Sequence, residues 1–307
     1  MTAHDADDDE LRADYSNLIA FDHRPEGRRY TATLADGTPV VVVALADPIS
    51  DAVSSVNRFF QVMESAASVR HAGLTRPVRW GQAPSGMLHC AYVRSDAIDI
   101  ERAMRPDEIA AIGVQLAHAL TVVHQAGLAH GAITPERVTL TRDHGAELES
   151  FGLYAALAAG GVSARQAASF LCEAPYVSPE LQTNRMPDER SDVFALGASL
   201  YALLTGKPPF GGRTTSYVMA TILSSDAPPD PADVERSAGP LVDAILRAIE
   251  RAPDDRWPTA EAFAKALERG TRSAGTSPTS ARRGCLPVTT SVLGLLAAVG
   301  AVALVTR

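Results

Sequence analysis

Apolar positions along this chain follow two periods, and the change between them divides it. Tyr30-Thr-Ala-Thr-Leu34, the turn pair Asp36-Gly37 and Pro39-Val-Val-Val-Val-Ala-Leu45 predict a β-hairpin. A helix is expected over Val53 to Val69, and another strand over Gly86 to Arg94. After Pro106 the spacing lengthens. Ile109, Ile112, Leu116, Leu120 and Val123 recur every three or four residues, one apolar face of a helix ending near Gly127. Ser191–Leu204, Leu241–Ile249 and Thr259–Leu267 read as further helices, with Thr259 as the N-cap of the last. A small β-rich lobe therefore precedes a larger α-rich one, and the fold class is α+β.

The last apolar run differs from all of these. Leu286 to Val305 carries no charge over 20 residues, about 30 Å as a helix and one hydrocarbon thickness. Arg282 and Arg283 precede it, and the polar stretch TRSAGTSPTSARRG reads as a linker. A single membrane-spanning helix is expected at 286–305, with the folded part on the cytoplasmic side by the positive-inside rule. The opening MTAHDADDDE is acidic and lacks the apolar core of a signal peptide. The expected organisation is an acidic tail over 1–14, a folded domain over 15–268 whose lobes meet near 97–98, a linker over 269–285 and the span.

Composition narrows the chemistry. With 46% hydrophobic and 21% charged residues the chain is ordinary globular protein. A net charge of −8 with no basic patch before the final linker argues against nucleic acid as a partner. Cys90, Cys172 and Cys285 have neither disulfide-framework nor zinc spacing. Only two lysines occur, Lys207 and Lys265, so the first 206 residues have none.

Four segments in register carry a resemblance. His130-Gly-Ala-Ile-Thr-Pro-Glu-Arg-Val-Thr-Leu140 is similar to the catalytic loop HRDLKPENVLL, and Leu148-Glu-Ser-Phe-Gly152 to the strand entering DFG. Ala174-Pro-Tyr-Val-Ser-Pro-Glu180 is similar to the end of an activation segment. Ser191-Asp-Val-Phe-Ala-Leu-Gly197, followed by Leu-Leu-Thr-Gly-Lys-Pro-Pro-Phe210, is similar to the helix and exit loop that follow. Over about 15–268 the sequence resembles the eukaryotic-type Ser/Thr protein kinases in their bacterial form, which implies a two-lobed protein kinase-like fold.

Set against that family, the positions that perform phosphoryl transfer are altered. Of the GxGxxG loop that covers the phosphates, the matching stretch Asp22–Gly27 keeps Gly27 alone, and it reads as an ordinary turn. Val43 stands at the strand lysine, Val62 at the helix glutamate that pairs with it, Ala132 at the catalytic aspartate and Thr134 at the loop lysine. Arg137 stands at the metal-binding asparagine and Ser150 at the DFG aspartate. Glu149 is expected to face away from the site, since adjacent strand residues alternate. Arg137 is read as a solvated or structural side chain, with contact to a nucleotide phosphate as the alternative. Val41 and Thr139 imply an altered purine pocket. Gly131 replaces the arginine that receives an activating phosphate, while Ser163, Ser169 and Ser178 remain in the alanine-rich activation segment, expected as a short helix over the cleft or a partner surface.

Residues that maintain the fold are kept: His130 and Phe151 of the internal spine, Gly152, Asp192, and the pair Glu180–Arg256. The sequence reading is thus a membrane-tethered pseudokinase. As such it is expected not to be an enzyme, to take neither ATP nor Mg²⁺, and to act as scaffold or allosteric partner of other proteins, with an active Ser/Thr kinase or its substrate as candidates. The alternatives are a nucleotide-sensing module without catalysis and a divergent, weakly active Ser/Thr kinase.

Overall fold

The computed structural model describes residues 9–46, 52–98, 104–142, 145–224 and 239–274. Strands β1 (Ser16–Arg24), β2 (Gly27–Thr33), β3 (Pro39–Leu45), β4 (Pro77–Gln82) and β5 (Leu88–Val93) form one antiparallel sheet in the order β1-β2-β3-β5-β4. Helix α1 (Val53–Ser68) interrupts it between β3 and β4. The period of two sorts β3 between two cores. Val40, Val42 and Ala44 join Leu11, Tyr15, Leu18 and Tyr30 on one face. Val43 and Leu45 join Cys90, Phe59 and Met63 on the other. Leu11 is almost fully buried, so packing begins within the acidic N-terminal stretch.

Helix α2 (Pro106–Gln125) opens the helical lobe, and the expected face Ile109, Ile112, Leu116, Leu120 and Val123 is buried. A two-stranded ribbon, β6 (Val138–Thr141) and β7 (Gly145–Leu148), floors the cleft. Then come α3 (Leu153–Ala159), α4 (Ala164–Leu171), α5 (Glu189–Thr205), α6 (Thr215–Leu223), α7 (Gly239–Ala248) and α8 (Ala260–Ala274). Thr259 caps α8 as expected, its Oγ1 accepting from the Ala262 amide at 3.1 Å. Helix α5 is buried over nearly its whole length, which removes any amphipathic signature from its sequence.

The two-lobed arrangement agrees with the sequence reading. The expected span over 286–305 lies outside the described residues, among which no helix is long and apolar enough to cross a membrane.

Candidate functional site

A cavity of about 370 Å³ opens between the sheet and the β6–β7 ribbon. Val41 and Val43 of β3 and Tyr92 of β5 form one wall; Phe21, Arg29 and Thr31 reach in from β1 and β2; Thr139, Glu149 and Ser150 form the floor. Of the positions at which the sequence placed kinase chemistry, Val43 and Ser150 line this space, and Arg137 is bonded to Ser150.

Val43 is fully buried and shares one apolar cluster with Phe59, Met63, Leu153 and Leu157. Val62 packs against the rim of that cluster, because α1 turns Val56, Phe59, Met63 and Ala66 inward. The two valines thus belong to a single apolar unit. Helix α3, the first part of the activation segment, closes it from below, and Arg58 ties the two helices by donating from Nε to the Ala159 carbonyl at 2.8 Å. A Cβ at Gly152 would lie 2.5 Å from that of Ala66, so glycine permits this approach.

Ala132 and Thr134 are buried. Gly131 has φ +64°, and the Tyr154 ring fills the space a side chain there would need, with a Cβ meeting it at 2.3 Å. Asp192 holds this loop as expected. Its carboxylate accepts from the His130 and Gly131 amides at 2.8 Å each, and lies 2.8 Å from His124 Nε2. Burial opposes ionisation of Asp192, but the bond to His124 prevails and holds its pKa below the usual carboxylate range. The rings of His130 and Phe151 stand 5.8 Å apart.

Burial pushes the His130 imidazole from 6.5 down to about 4. Between those two pH values the unfolded chain takes up a proton that the folded chain refuses, so stability falls as pH drops through the window, by about 3 kcal/mol at most. His124 works in the opposite direction. Burial disfavours its charged form, but the bond to Asp192 raises its pKa overall, so its contribution is full below the ordinary 6.5 and is lost as pH rises through the folded value. Denaturant melts of the His130→Phe variant between pH 4 and 6.5 should show a flatter acid limb than the parent. An unchanged limb would refute the assignment to His130.

Three observations sharpen or correct the sequence reading. Of the solvated and structural alternatives for Arg137 the structural one holds, the side chain being 2% exposed. Its Nε donates to the Leu171 carbonyl at 3.0 Å and its Nη1 to Ser150 Oγ at 2.8 Å, while Nη2 pairs with Glu26. Burial disfavours this charge, yet Glu26 raises the Arg137 pKa above its ordinary value. The β1–β2 connection is therefore no ordinary turn, because its Glu26 is buried against the helical lobe. Nor does Glu149 face away. Strand β7 ends at Leu148, and Ser150 has φ +62°, so alternation fails and both side chains line the cavity.

Glu149 accepts from Arg29 Nη2 at 2.8 Å and from Thr139 Oγ1 at 2.6 Å. Although burial works against it, the guanidinium holds the Glu149 carboxyl below the usual range. Sequence reasoning missed Arg29 and Glu26. Arg29 falls two residues past Gly27, where the family pattern has valine. Period two already placed it on the face opposite Tyr30 and Ala32, toward the cleft. Glu26 gave no such signal, since its partner is 111 residues away.

The Glu180–Arg256 pair is present and bidentate, at 2.8 and 2.9 Å. Of the activation-segment serines, Ser163 caps α4 and is exposed, Ser169 is exposed, and Ser178 is buried.

Comparison with known proteins settles the family. The model of the protein kinase domain matches residues 60–266. The chain belongs to the protein kinase family. It is 30% identical over 212 residues to the serine/threonine-protein kinase PknB of Mycobacterium tuberculosis, a match covering 66% of this chain and 34% of that protein. It is 28% identical over 251 residues to a probable serine/threonine-protein kinase of Corynebacterium efficiens, covering 78% and 38%. The chain thus spans little more than a third of the length of these curated relatives. The M. tuberculosis PknI kinase domain shares the fold, with a TM-score of 0.64 at 24% identity over 84% of this chain and 96% of that one.

Membership in the family corrects two expectations. The relatives are named as serine/threonine-protein kinases, which points to an enzyme and not to a non-enzyme. The family normally binds ATP and Mg²⁺, which overturns the expectation of no cofactor. The cavity suits the nucleotide, offering apolar Val41 and Tyr92 beside a polar Thr139–Glu149–Arg29 edge. The two family metal positions do not fit a divalent cation in this arrangement, since the Arg137 guanidinium is bonded to the Ser150 hydroxyl there. Among the described residues no three acidic, His or Cys side chains converge on a point that could hold a metal.

Proposed function

We propose that this chain is a divergent, slow serine/threonine protein kinase that takes an adenine nucleotide in the interlobe cavity and acts on protein substrates or partners. The observation that carries the reading is the cavity itself. Its volume of about 370 Å³ lies in the range of small-molecule sites, and it sits between β3, β5 and the β6–β7 ribbon, with family membership behind it. The low rate follows from Ala132. General-base assistance contributes about 10²–10⁴-fold in enzymes that have it, and an alanine supplies none.

Titration of the full chain with ATP and ADP, followed by calorimetry, is expected to give saturable binding. Transfer of labelled γ-phosphate to the chain or to an added protein is expected to be slow but above a heat-treated control. Absence of saturable binding by either nucleotide overturns the reading. Ala132→Asp alone is expected to give no gain in rate, because it places a carboxylate among Leu153, Tyr154 and Leu157 and leaves Arg137 and Ser150 unchanged.

A membrane tether is the second element of the proposal, resting on the uncharged run Leu286–Val305 and the preceding Arg282 and Arg283. The full chain should fractionate with membranes, with the kinase-like domain on the cytoplasmic side, and deletion of 285–307 should release it. Recovery of the full chain in the soluble fraction contradicts the tether.

A further inference from the structure

The Arg137 guanidinium lies directly behind Ser150 at one end of the cavity and joins four segments of the chain, its own and three that hold it. Helix α4 supplies the Leu171 carbonyl, the end of β7 supplies Ser150, its own position follows the catalytic loop, and the β1–β2 turn supplies Glu26. The first three belong to the helical lobe. Glu26 alone comes from the sheet, and it reaches over the cleft from the turn that in this family lies above the phosphates. Its other oxygen, Oε2, is buried and has no hydrogen-bond partner. A carboxylate bound through one oxygen, with the second buried and lacking a donor, is incompletely satisfied where it sits, so its docked position is costly to hold. Gly27, the next residue, has φ +148° and a Cβ there would lie 1.9 Å from the Ala44 carbonyl oxygen, so the turn is pressed onto β3 and only glycine fits. A second cation, Arg29, borders the same cavity and is close enough to Arg137 for the two charges to repel.

We propose that Arg137 is an anion site for nucleotide phosphate and that Glu26 occupies it in the closed state, so that the β1–β2 turn is a latch which phosphate must displace. This rests on the nucleotide reading of the cavity and adds its regulation. A phosphate oxygen entering past Ser150 takes over the Nη2 donor of Arg137, and Glu26 moves out to water with its turn. Binding is then tighter for whatever form of the chain has the latch open, because affinity is reduced by the fraction of molecules that are closed.

The test uses the full chain and three probes: adenosine, ADP and inorganic tripolyphosphate. Glu26→Gln is expected to raise affinity for ADP and tripolyphosphate about tenfold and to leave adenosine unchanged. Arg137→Gln is expected to remove tripolyphosphate binding and to lower ADP affinity to that of adenosine. Hydrogen exchange of residues 24–27 in the unmodified chain is expected to quicken when ADP is added, a readout that survives should either variant fail to fold. Adenosine and ADP that bind equally, with Glu26→Gln without effect and exchange of the turn unchanged, overturn the latch while leaving the cavity reading intact. Tripolyphosphate binding that strengthens in Glu26→Gln while adenosine fails to bind supports the latch and overturns the cavity reading.

Discussion

Replacing Arg256 by methionine is expected to cost about 3–5 kcal/mol of folding stability, because it strands a carboxylate inside the helical lobe. Arg256 is fully buried, and beyond its two bonds to Glu180 it donates to three carbonyls, those of Arg190, Glu250 and Arg251, at 2.7–2.9 Å. Its guanidinium also stands 4.9 Å from the Phe194 ring centre. Glu180 in turn accepts from Ser191 Oγ at 2.6 Å. One ion pair therefore joins the end of the activation segment, the start of α5 and the loop before α8. Burial disfavours the Glu180 charge, but the bond from Arg256 prevails and keeps its pKa below the usual value. The stabilisation is thus present above the ordinary carboxylate pKa and is lost as pH falls through the lowered one. Urea unfolding at pH 7 should show the loss for Arg256→Met, and a smaller one for Glu180→Leu/Arg256→Met together, since the double change leaves no charge unpaired. Equal losses for single and double variants would contradict this account.

Val43→Lys should be the most damaging single change in the sheet lobe, at several kcal/mol on the scale of an uncompensated buried charge. The side chain is 1% exposed and belongs to the apolar cluster of Phe59, Met63 and Leu153. Adding Val62→Glu should recover part of the loss, since both positions border one apolar unit, and the recovery should appear as favourable coupling of about 1 kcal/mol. Melting temperatures of both single variants and the double decide the point. Strictly additive shifts would place Val62 beyond reach of Val43.

Much of the fold was legible because its signals are local. The hairpin over β2 and β3 announced itself through Asp36-Gly37 and the valine run, and α2 through its spacing. Strand β1 was missed: Ile19 is largely exposed and Phe21, although it borders the cavity, is half exposed, so its pattern does not resemble a buried strand. Of the ribbon β6–β7 only the end of β7 was anticipated, through the likeness of Leu148–Gly152 to the strand entering DFG, because each strand is only four residues long. At the site, Val43, Ala132, Arg137 and Ser150 were assigned through resemblance to the family, which says nothing of what surrounds them. The partners of Arg137 and Arg29 are Glu26 and Glu149, 111 and 120 residues away, and no window of sequence brings such pairs together. Glu149 was assigned to the wrong face because alternation was extended one residue past the end of a strand.

The Arg29–Glu149 pair also bears on how small molecules would discriminate this cleft. A flat heterocycle entering here meets a guanidinium at the β2 position where relatives following the family pattern present valine, and a carboxylate fixed by that guanidinium and by Thr139 on the opposite side. Compounds selected for purely aliphatic slots would have to cover a half-buried charge pair without hydrogen-bonding to it, a costly form of desolvation. Compounds carrying an acceptor toward Arg29 and a donor toward Glu149 would instead extend the existing pair. Selective chemical probes for this chain, as distinct from the wider family, are therefore to be sought among polar, zwitterionic scaffolds.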